Sequence, residues 1–217
     1  DVQARDIEMQ GFKSSYDLSY KEYKLGRINL NVTGKYNIQN SLLAASIGLE
    51  LDIPFTAIQL GLQEFNGVYR RFDMKGEAAG ITVYDDYAHH PTEIKATLEG
   101  FKDSVKRRIV VLFQPHLYSR TRDFYEEFGK SFFSCDCLIL APIYPAREQP
   151  IPDITSKLIA DAAIQSGHHQ VHLVESNSEI VSRTLPLLKE GDILITMGAG
   201  NIWKYGEEIL GKLKELC

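Results

Sequence analysis

From about residue 75 to its end the chain repeats one unit: a short apolar run, then a stretch whose apolar residues recur at helical spacing. The runs are Ile81–Tyr84, Arg108–Phe113, Leu138–Pro142, Val171–Val174 and Ile193–Met197. Between them Ile94, Leu98 and Phe101 share one helical face, and so do Phe124, Phe128 and Phe132. Leu158, Ile159 and Ala162 precede Gly167, and Ile180, Leu187 and Leu188 continue the series. Pro186 should kink or shorten that helix, because proline has no N–H to donate. Ile202, Ile209, Leu213 and Leu216 close the chain. Strands alternating with helices of this length imply an α/β fold, a mostly parallel, doubly wound sheet with flanking helices. In such sheets ligands collect beyond the carboxyl ends of the strands.

The first third obeys another rule. Tyr16, Leu18 and Tyr20 alternate with polar residues, as do Ile28, Leu30 and Val32, so residues 1–34 read as antiparallel strands closed by Gly34. From Tyr36 the period becomes helical, with Ile38, Leu42, Ala45 and Leu49 on one face and small Ala44, Ala45, Ser46 and Gly48 permitting close packing. Thr56 and Gln59 have capping-box spacing, and Phe55 with Leu60 fits a hydrophobic staple. Ile58, Leu62 and Phe65 form the buried face of this second helix, and Gly67 stops it. A hairpin with two helices is a small core, so residues 1–74 read as the back part of a larger domain, with a second domain over 75–217.

Composition narrows the function. Lys and Arg number 24 against 29 Asp and Glu, a net charge of −5, which disfavours nucleic acid as a partner. No apolar run is long enough to span a membrane. There is no signal peptide and the first residue is Asp1, so the chain is expected to have been cut at its start. Cys135, Cys137 and Cys217 are too few and too sparse for a disulfide framework or a zinc site, and read as reduced thiols of a cytoplasmic protein.

Two strand ends concentrate chemistry. The first is Asp85-Asp86-Tyr87-Ala88-His89-His90-Pro91; the second runs from Gln114 through His116, Arg120 and Arg122 to Asp123. Pro91 suits a first helical position. Asp86 is read as an acceptor for hydroxyls such as those of a ribose, with helix capping by Asp86 or His90 as the alternative. His116 with Arg120 reads as a ligand site, since guanidinium clamps carboxylate or phosphate, whereas Arg122 reads as a solvated surface residue. Asn37 and Asn40 can present paired donors and acceptors to a base edge, or cap their helix. Arg70 and Arg71 follow Gly67 at the junction, where they can reach a ligand or serve as a surface pair. The ends Tyr144–Glu148 and Gly198–Asn201 are less dense. Gly198-Ala199-Gly200 lacks the rest of a dinucleotide fingerprint, His168, His169 and His172 read as surface histidines, and no Walker loop is present.

Taken in order, Gly34-Lys35-Tyr36-Asn37-Ile38-Gln39-Asn40, Gly67-Val68-Tyr69-Arg70-Arg71-Phe72, Asp85-Asp86-Tyr87-Ala88-His89-His90-Pro91, Gln114-Pro115-His116-Leu117-Tyr118-Ser119-Arg120-Thr121-Arg122-Asp123 and Gly198-Ala199-Gly200-Asn201-Ile202-Trp203 strongly resemble the Mur ligases of peptidoglycan synthesis. The resemblance covers nearly the whole chain. It implies the last part of a central ATPase domain followed by a C-terminal Rossmann-like domain, with the phosphate loop and the magnesium ligands upstream. It implies an ATP-dependent amide ligase acting through an acyl phosphate on UDP-N-acetylmuramate and L-alanine, inactive in this portion alone. By motif, Asn37 and Asn40 would face adenine, Arg71 the ATP phosphates and Asp86 the ribose. Tyr87, His89, His116 and Arg120 would line the substrate and alanine region, with His89 and Arg120 catalytic and no residue of this chain a metal ligand. Two positions depart from the pattern: Leu117 stands where Arg is common, and Tyr36 where His is common. Other readings are a murein-peptide recycling ligase, a catalytically silent nucleotide-binding domain and a Rossmann-type dehydrogenase, the last opposed by the glycine pattern.

Overall fold

The structure, a computed structural model, describes residues 1–216; Cys217, expected to be a free thiol, lies outside the described residues. The chain divides into two compact units, one of Asp1–Val68 with Asp103–Val105, the other of Tyr69–Lys102 with the chain from Lys106 onward.

In the first unit β1 (Val2–Gln10), β2 (Lys13–Tyr20) and β3 (Tyr23–Leu30) form an antiparallel meander, followed by α1 (Lys35–Glu50) and α2 (Phe55–Glu64). Tyr16, Leu18, Ile28 and Leu30 from the sheet pack with Ile38, Ala45 and Ile58 from the helices. Gly48 is small for a reason: a Cβ there would lie 2.9 Å from the Ile58 side chain. The buried Tyr16 hydroxyl pairs with Ser41 Oγ at 2.8 Å.

Two expectations fail here. The sequence suggested a hairpin, yet β1 adds a third strand; its side chains are mostly exposed and its register shifts between Arg5 and Glu8, so no clean alternation marks it. The capping box at Thr56 does not form. Pro54 precedes the helix, which starts one residue before Thr56, and Gln59 Nε2 instead donates to the Arg27 carbonyl at 2.6 Å. Leu60 points to solvent, so the staple is absent, and Phe65 is also exposed.

In the second unit β4 (Asp73–Ala78), β5 (Ile81–Asp86), β6 (Ile109–Phe113), β7 (Cys137–Leu140), β8 (Val171–Leu173) and β9 (Ile193–Met197) form one sheet in the order β4-β5-β9-β6-β7-β8. All neighbours are parallel except β4, an antiparallel edge strand that the expectation omitted. Its sequence, Asp-Met-Lys-Gly-Glu-Ala, is too polar to announce a strand. The expected change of pattern at residue 75 falls inside it.

The helices are α3 (Pro91–Ser104), α4 (Tyr118–Ser131), α5 (Lys157–Gln165), α6 (Ile180–Thr184) and α7 (Ile202–Glu215). Val83, Val110, Leu112, Ile139 and Leu194 pack with Ile180, Ile202, Ile209 and Leu213. Alternate strand positions meet other helices: Phe113 packs on Phe128 and Phe132 of the α4 region, and Tyr84 on Phe101 of α3. Strands β5, β6, β7 and β9 are buried at every position, which is why they read as largely apolar runs, broken only by buried Thr82, Asp85, Asp86 and Thr196. Full burial of each such side chain contributes about 1.5–3 kcal/mol. Pro186 does shorten its helix, since α6 passes into a 3-10 turn over Leu185–Leu187. The α4 face breaks at Phe124, where the helix kinks and the ring turns towards His90, centroids 5.2 Å apart.

The last strand matters most for the site. β9 inserts between β5 and β6, so that Asp86 and Phe113 both pair with Met197 and the three carboxyl ends stand at one level. The strand order reverses around β9, the position at which an open α/β sheet leaves a crevice.

Candidate functional site

The floor of this crevice is polar and buried. Asp85 accepts from Arg70 Nε at 2.6 Å and from Thr196 Oγ1 at 2.7 Å. Arg70 also donates to the carbonyls of Gly198 and Gly200, at 2.6 and 3.1 Å, and its guanidinium lies 4.9 Å from the Tyr87 ring centre. One arginine thereby ties the ends of β5 and β9 together and props up Tyr87. Sequence reasoning singled out the Arg70-Arg71 pair without foreseeing this; a buried bidentate partner leaves no local signature.

Asp86 is 1% exposed, and its two oxygens accept from the backbone N–H groups of Phe72 (3.1 Å) and Ala88 (2.9 Å). Burial pushes its carboxyl up to about 6, against the pull of those two N–H groups. Neither Asp86 nor His90 caps α3. That role falls to Glu93, whose Oε2 accepts from the N–H groups of His89 (3.0 Å) and His90 (3.2 Å). Burial works against its ionisation, but the N–H groups and the neighbouring positive charges hold Glu93 below its usual range. Arg71 lies 3.9 Å from Glu93 with its guanidinium half exposed.

Above this floor two imidazoles face each other with centroids 6.0 Å apart. His89 Nδ1 lies 3.0 Å from the Tyr87 carbonyl and 3.3 Å from Glu93. A carbonyl only accepts, so the neutral ring carries its proton on Nδ1 and leaves Nε2 as an acceptor. His116 is reversed. Its Nδ1 lies 3.5 Å from Arg120 Nη1, a group that only donates, so its proton sits on Nε2. Burial first, then the positive charge of Arg120, lowers the His116 pKa, which favours the neutral ring. Its ring stacks on Tyr144 at 5.6 Å.

Arg120, in the first turn of α4, pairs with no carboxylate among the described residues, whereas Arg122 is engaged by Asp123 at 2.7 Å. Tyr87, His89, His116 and Arg120 thus form one contiguous cluster, Tyr87 against His89 at 5.3 Å, His89 against His116 at 6.0 Å and His116 against Arg120 at 3.5 Å, with Asp86 buried near by and Arg71 reaching Glu93. Leu117, preceding α4, adopts φ +75°, ψ 136°, a strained conformation for a branched residue. The glycines of Gly198-Ala199-Gly200 answer a packing need. A Cβ at Gly198 would lie 2.7 Å from the Gln114 carbonyl, and one at Gly200 2.7 Å from the Tyr144 ring.

Asn37 and Asn40 belong to the first unit, where they line a cavity of about 310 Å³ with Leu30, Val32, Leu62 and Phe65. Neither caps α1, whose preceding residue is Gly34. Asn37 Nδ2 donates to the Thr33 carbonyl at 2.7 Å, which leaves its Oδ1 for a ligand.

Sequence reasoning missed Tyr144, Glu148 and Ser119; the first two lie in a strand end that looked sparse. His168 is half-buried rather than a surface residue, with Nε2 3.0 Å from the Cys135 carbonyl. Cys135 and Cys137 are free and buried, and burial pushes both thiols up. Among the described residues no group of three or more His, Cys, Asp or Glu could hold a metal, and no helix is long and apolar enough to cross a membrane.

Comparison with known proteins adds a frame. The family model described as "Mur ligase, glutamate ligase domain" matches residues 70–200. The UDP-N-acetylmuramate–L-alanine ligase of Geotalea daltonii is 46% identical over 215 residues, which are 99% of this chain and 47% of that protein. The enzyme of the same name from Salinibacter ruber is 44% identical over 218 residues, 99% of this chain and 45% of that one. The chain thus spans about half the length of the curated relatives it matches. The crystal structure of the UDP-N-acetylmuramate–alanine ligase of Thermotoga maritima superposes with a TM-score of 0.82 at 22% identity, covering 100% of this chain and 46% of that one.

Proposed function

The chain belongs to the Mur ligase family, and from that membership we propose that it is the C-terminal portion of an ATP-dependent, cytoplasmic ligase joining L-alanine to the carboxylate of UDP-N-acetylmuramate. The observation that carries this reading is the placing of His89 and His116, ring centroids 6.0 Å apart, beside the Arg120 guanidinium, which pairs with no carboxylate among the described residues, at the carboxyl edge of the sheet.

In this reading ATP transfers its terminal phosphoryl group to the muramate carboxylate, giving an acyl phosphate and ADP. The alanine amine then attacks the acyl carbon, and collapse of the tetrahedral species releases phosphate and leaves the amide. The amino acid arrives as a zwitterion. Arg120 clamps its carboxylate through parallel N–H donors. His89 Nε2, the ring nitrogen left as acceptor, takes the proton that the ammonium must lose before it can attack. His116 Nε2–H donates to the negative oxygens of the reacting centre, and its lowered pKa keeps it a neutral donor. Catalysis is then mostly positioning and charge stabilisation.

The cavity at Asn37 and Asn40 suits a flat heterocycle between apolar walls; the fixed Asn37 Oδ1 accepts from an exocyclic amino group such as that of adenine. Arg71, half exposed at the rim, takes the ATP phosphates. Asp86 holds the backbone of Phe72 and Ala88, which supports a part in shaping the Tyr87–His89 loop; its spare lone pairs are what a ribose hydroxyl would use. Among the described residues no group of three or more His, Cys, Asp or Glu could hold a metal ion; this reading assigns the magnesium ligands to a preceding segment with the phosphate loop, and no step here is routed through the ion.

The test uses the full-length protein that carries this chain. Amide formation is assayed with ATP, UDP-N-acetylmuramate and a panel of amino acids, and L-alanine is expected to be preferred. Arg120→Ala should raise the KM for L-alanine by about 100-fold and leave the KM for ATP within about twofold. An unaltered alanine KM removes Arg120 from the subsite. The present chain alone is expected to form no amide; turnover by it would overturn its reading as a portion of the enzyme.

A further inference from the structure

Helix α4 carries the guanidinium of the site, yet it begins without a cap of its own. Leu117 precedes it, with no polar side chain to receive the free N–H groups that every helix start leaves. The acceptor comes from the loop after β7. Glu148 Oε2 accepts from the Ser119 N–H at 3.0 Å, and Oε1 accepts from the Ser119 hydroxyl in a very short contact.

We propose that Glu148 is a positioning residue of the amino-acid subsite: its carboxylate replaces the missing cap of α4 and thereby sets where Arg120 and His116 stand. The inference rests on the proposed ligase function and adds to it a residue outside the assigned contacts.

The geometry argues for this in two ways. First, the loop bearing Glu148 is laced to the loop bearing His116. Tyr144 N donates to the Pro115 carbonyl at 2.8 Å, Leu117 N donates to the Tyr144 carbonyl at 2.9 Å, and the Tyr144 ring stacks on His116. Ser119 is the residue before Arg120, so a carboxylate fixed on Ser119 fixes the turn from which the guanidinium projects. Second, both oxygens of Glu148 are engaged by Ser119, which withholds them from Arg120. A carboxylate free in this place would pair with Arg120 and compete with the substrate carboxylate. The Ser119 hydrogen bonds also hold the Glu148 carboxyl below its usual range, so it stays ionised at the positive end of the helix.

The experiment measures steady-state kinetics on the full-length ligase with Glu148→Ala, Glu148→Gln and Ser119→Ala. Glu148→Ala should raise the KM for L-alanine about tenfold, and Glu148→Gln, which keeps an acceptor oxygen, by less. Ser119→Ala, which keeps the backbone N–H bond to Oε2 but frees Oε1 to pair with Arg120, should raise it as well. The KM for ATP and the thermal midpoint should remain near those of the unaltered enzyme in all three. If Glu148→Ala does not fold, the Gln and Ser119 variants decide. An alanine KM within about twofold in the variants overturns the proposal, and so does a parallel rise of every KM with a fallen melting temperature, the mark of a merely structural role. Should the unaltered enzyme prefer another amino acid, the alanine reading fails on its own, and the same KM comparison with that amino acid still tests Glu148.

Discussion

The two units hold their candidate residues by different means. In the second, Asp85, Arg70 and Thr196 form a buried hydrogen-bonded floor beneath Tyr87, and the strands that end there are covered on both sides. In the first, Asn37 and Asn40 sit on a helix that exposes Leu43 and Ile47, and its buried side-chain polar link is Tyr16 with Ser41. Its sheet sets Asp17 against Lys24 and Arg27. One site is organised by a polar network sunk into a complete core; the other is one wall of an apolar slot. Orientation of the candidate side chains Tyr87, His89, His116 and Arg120 is therefore encoded from Tyr69 onward, and the earlier unit supplies mainly shape.

That contrast can be broken most forcefully at Arg70. Arg70→Ala leaves Asp85 buried and uncompensated and should cost the second unit about 3–5 kcal/mol in denaturant unfolding. A loss below about 1 kcal/mol would deny the network its role. Next comes pH. Asp86 has its carboxyl raised in the folded state to about 6, from 3.8, so the folded form holds the proton more tightly than the unfolded one. Its contribution is full below pH 3.8 and disappears as pH rises through about 6, a change of about 3 kcal/mol at about 1.4 kcal/mol per unit. Asp17 in the first unit is lowered, chiefly by Lys24, so its stabilisation is present above its ordinary pKa and is lost as pH falls. Melting curves from pH 2 to 7 should thus show stability falling above about pH 4 through Asp86 and falling below about pH 4 through Asp17; Asp86→Asn should flatten the first slope, Asp17→Asn the second, and a slope unmoved by its substitution refutes that assignment.

Smaller effects sharpen the contrast. Ser41→Ala strips the buried Tyr16 hydroxyl of its Ser41 partner and should destabilise the first unit by about 1–3 kcal/mol, read by its thermal transition. Smallest of all, Arg122→Ala should alter neither the melting temperature nor the alanine KM measurably, since its ion pair with Asp123 is exposed. A raised alanine KM would return Arg122 to the site.

Much of the second unit was legible because fully buried parallel strands write themselves as apolar runs, and Ile193–Met197 matches β9 residue for residue. β4 was not legible, since an exposed edge strand is under no pressure to be apolar. In the first unit β1 was hidden by its exposed, shifted register, and the Thr56 capping pattern misled because Pro54 starts the helix a residue sooner. His116 and Arg120 stood out as candidates because the ends of β5 and β6 pack unlike charges and rings into few residues. Arg70 and Glu148 were not assigned their roles, because their partners lie 15 and 29 residues away in sequence.

By itself, the order of residues determined that strands alternate with helices, which strand ends carry polar chemistry, and which family the chain resembles. Those are properties of local period and of short contiguous motifs. Tertiary structure alone decided that β9 enters between β5 and β6, that one arginine binds two strand ends, and that a glutamate from a neighbouring loop caps α4. Strand pairing and cross-loop hydrogen bonds depend on which distant segments are brought within about 3 Å of each other, and local periodicity carries no record of that distance.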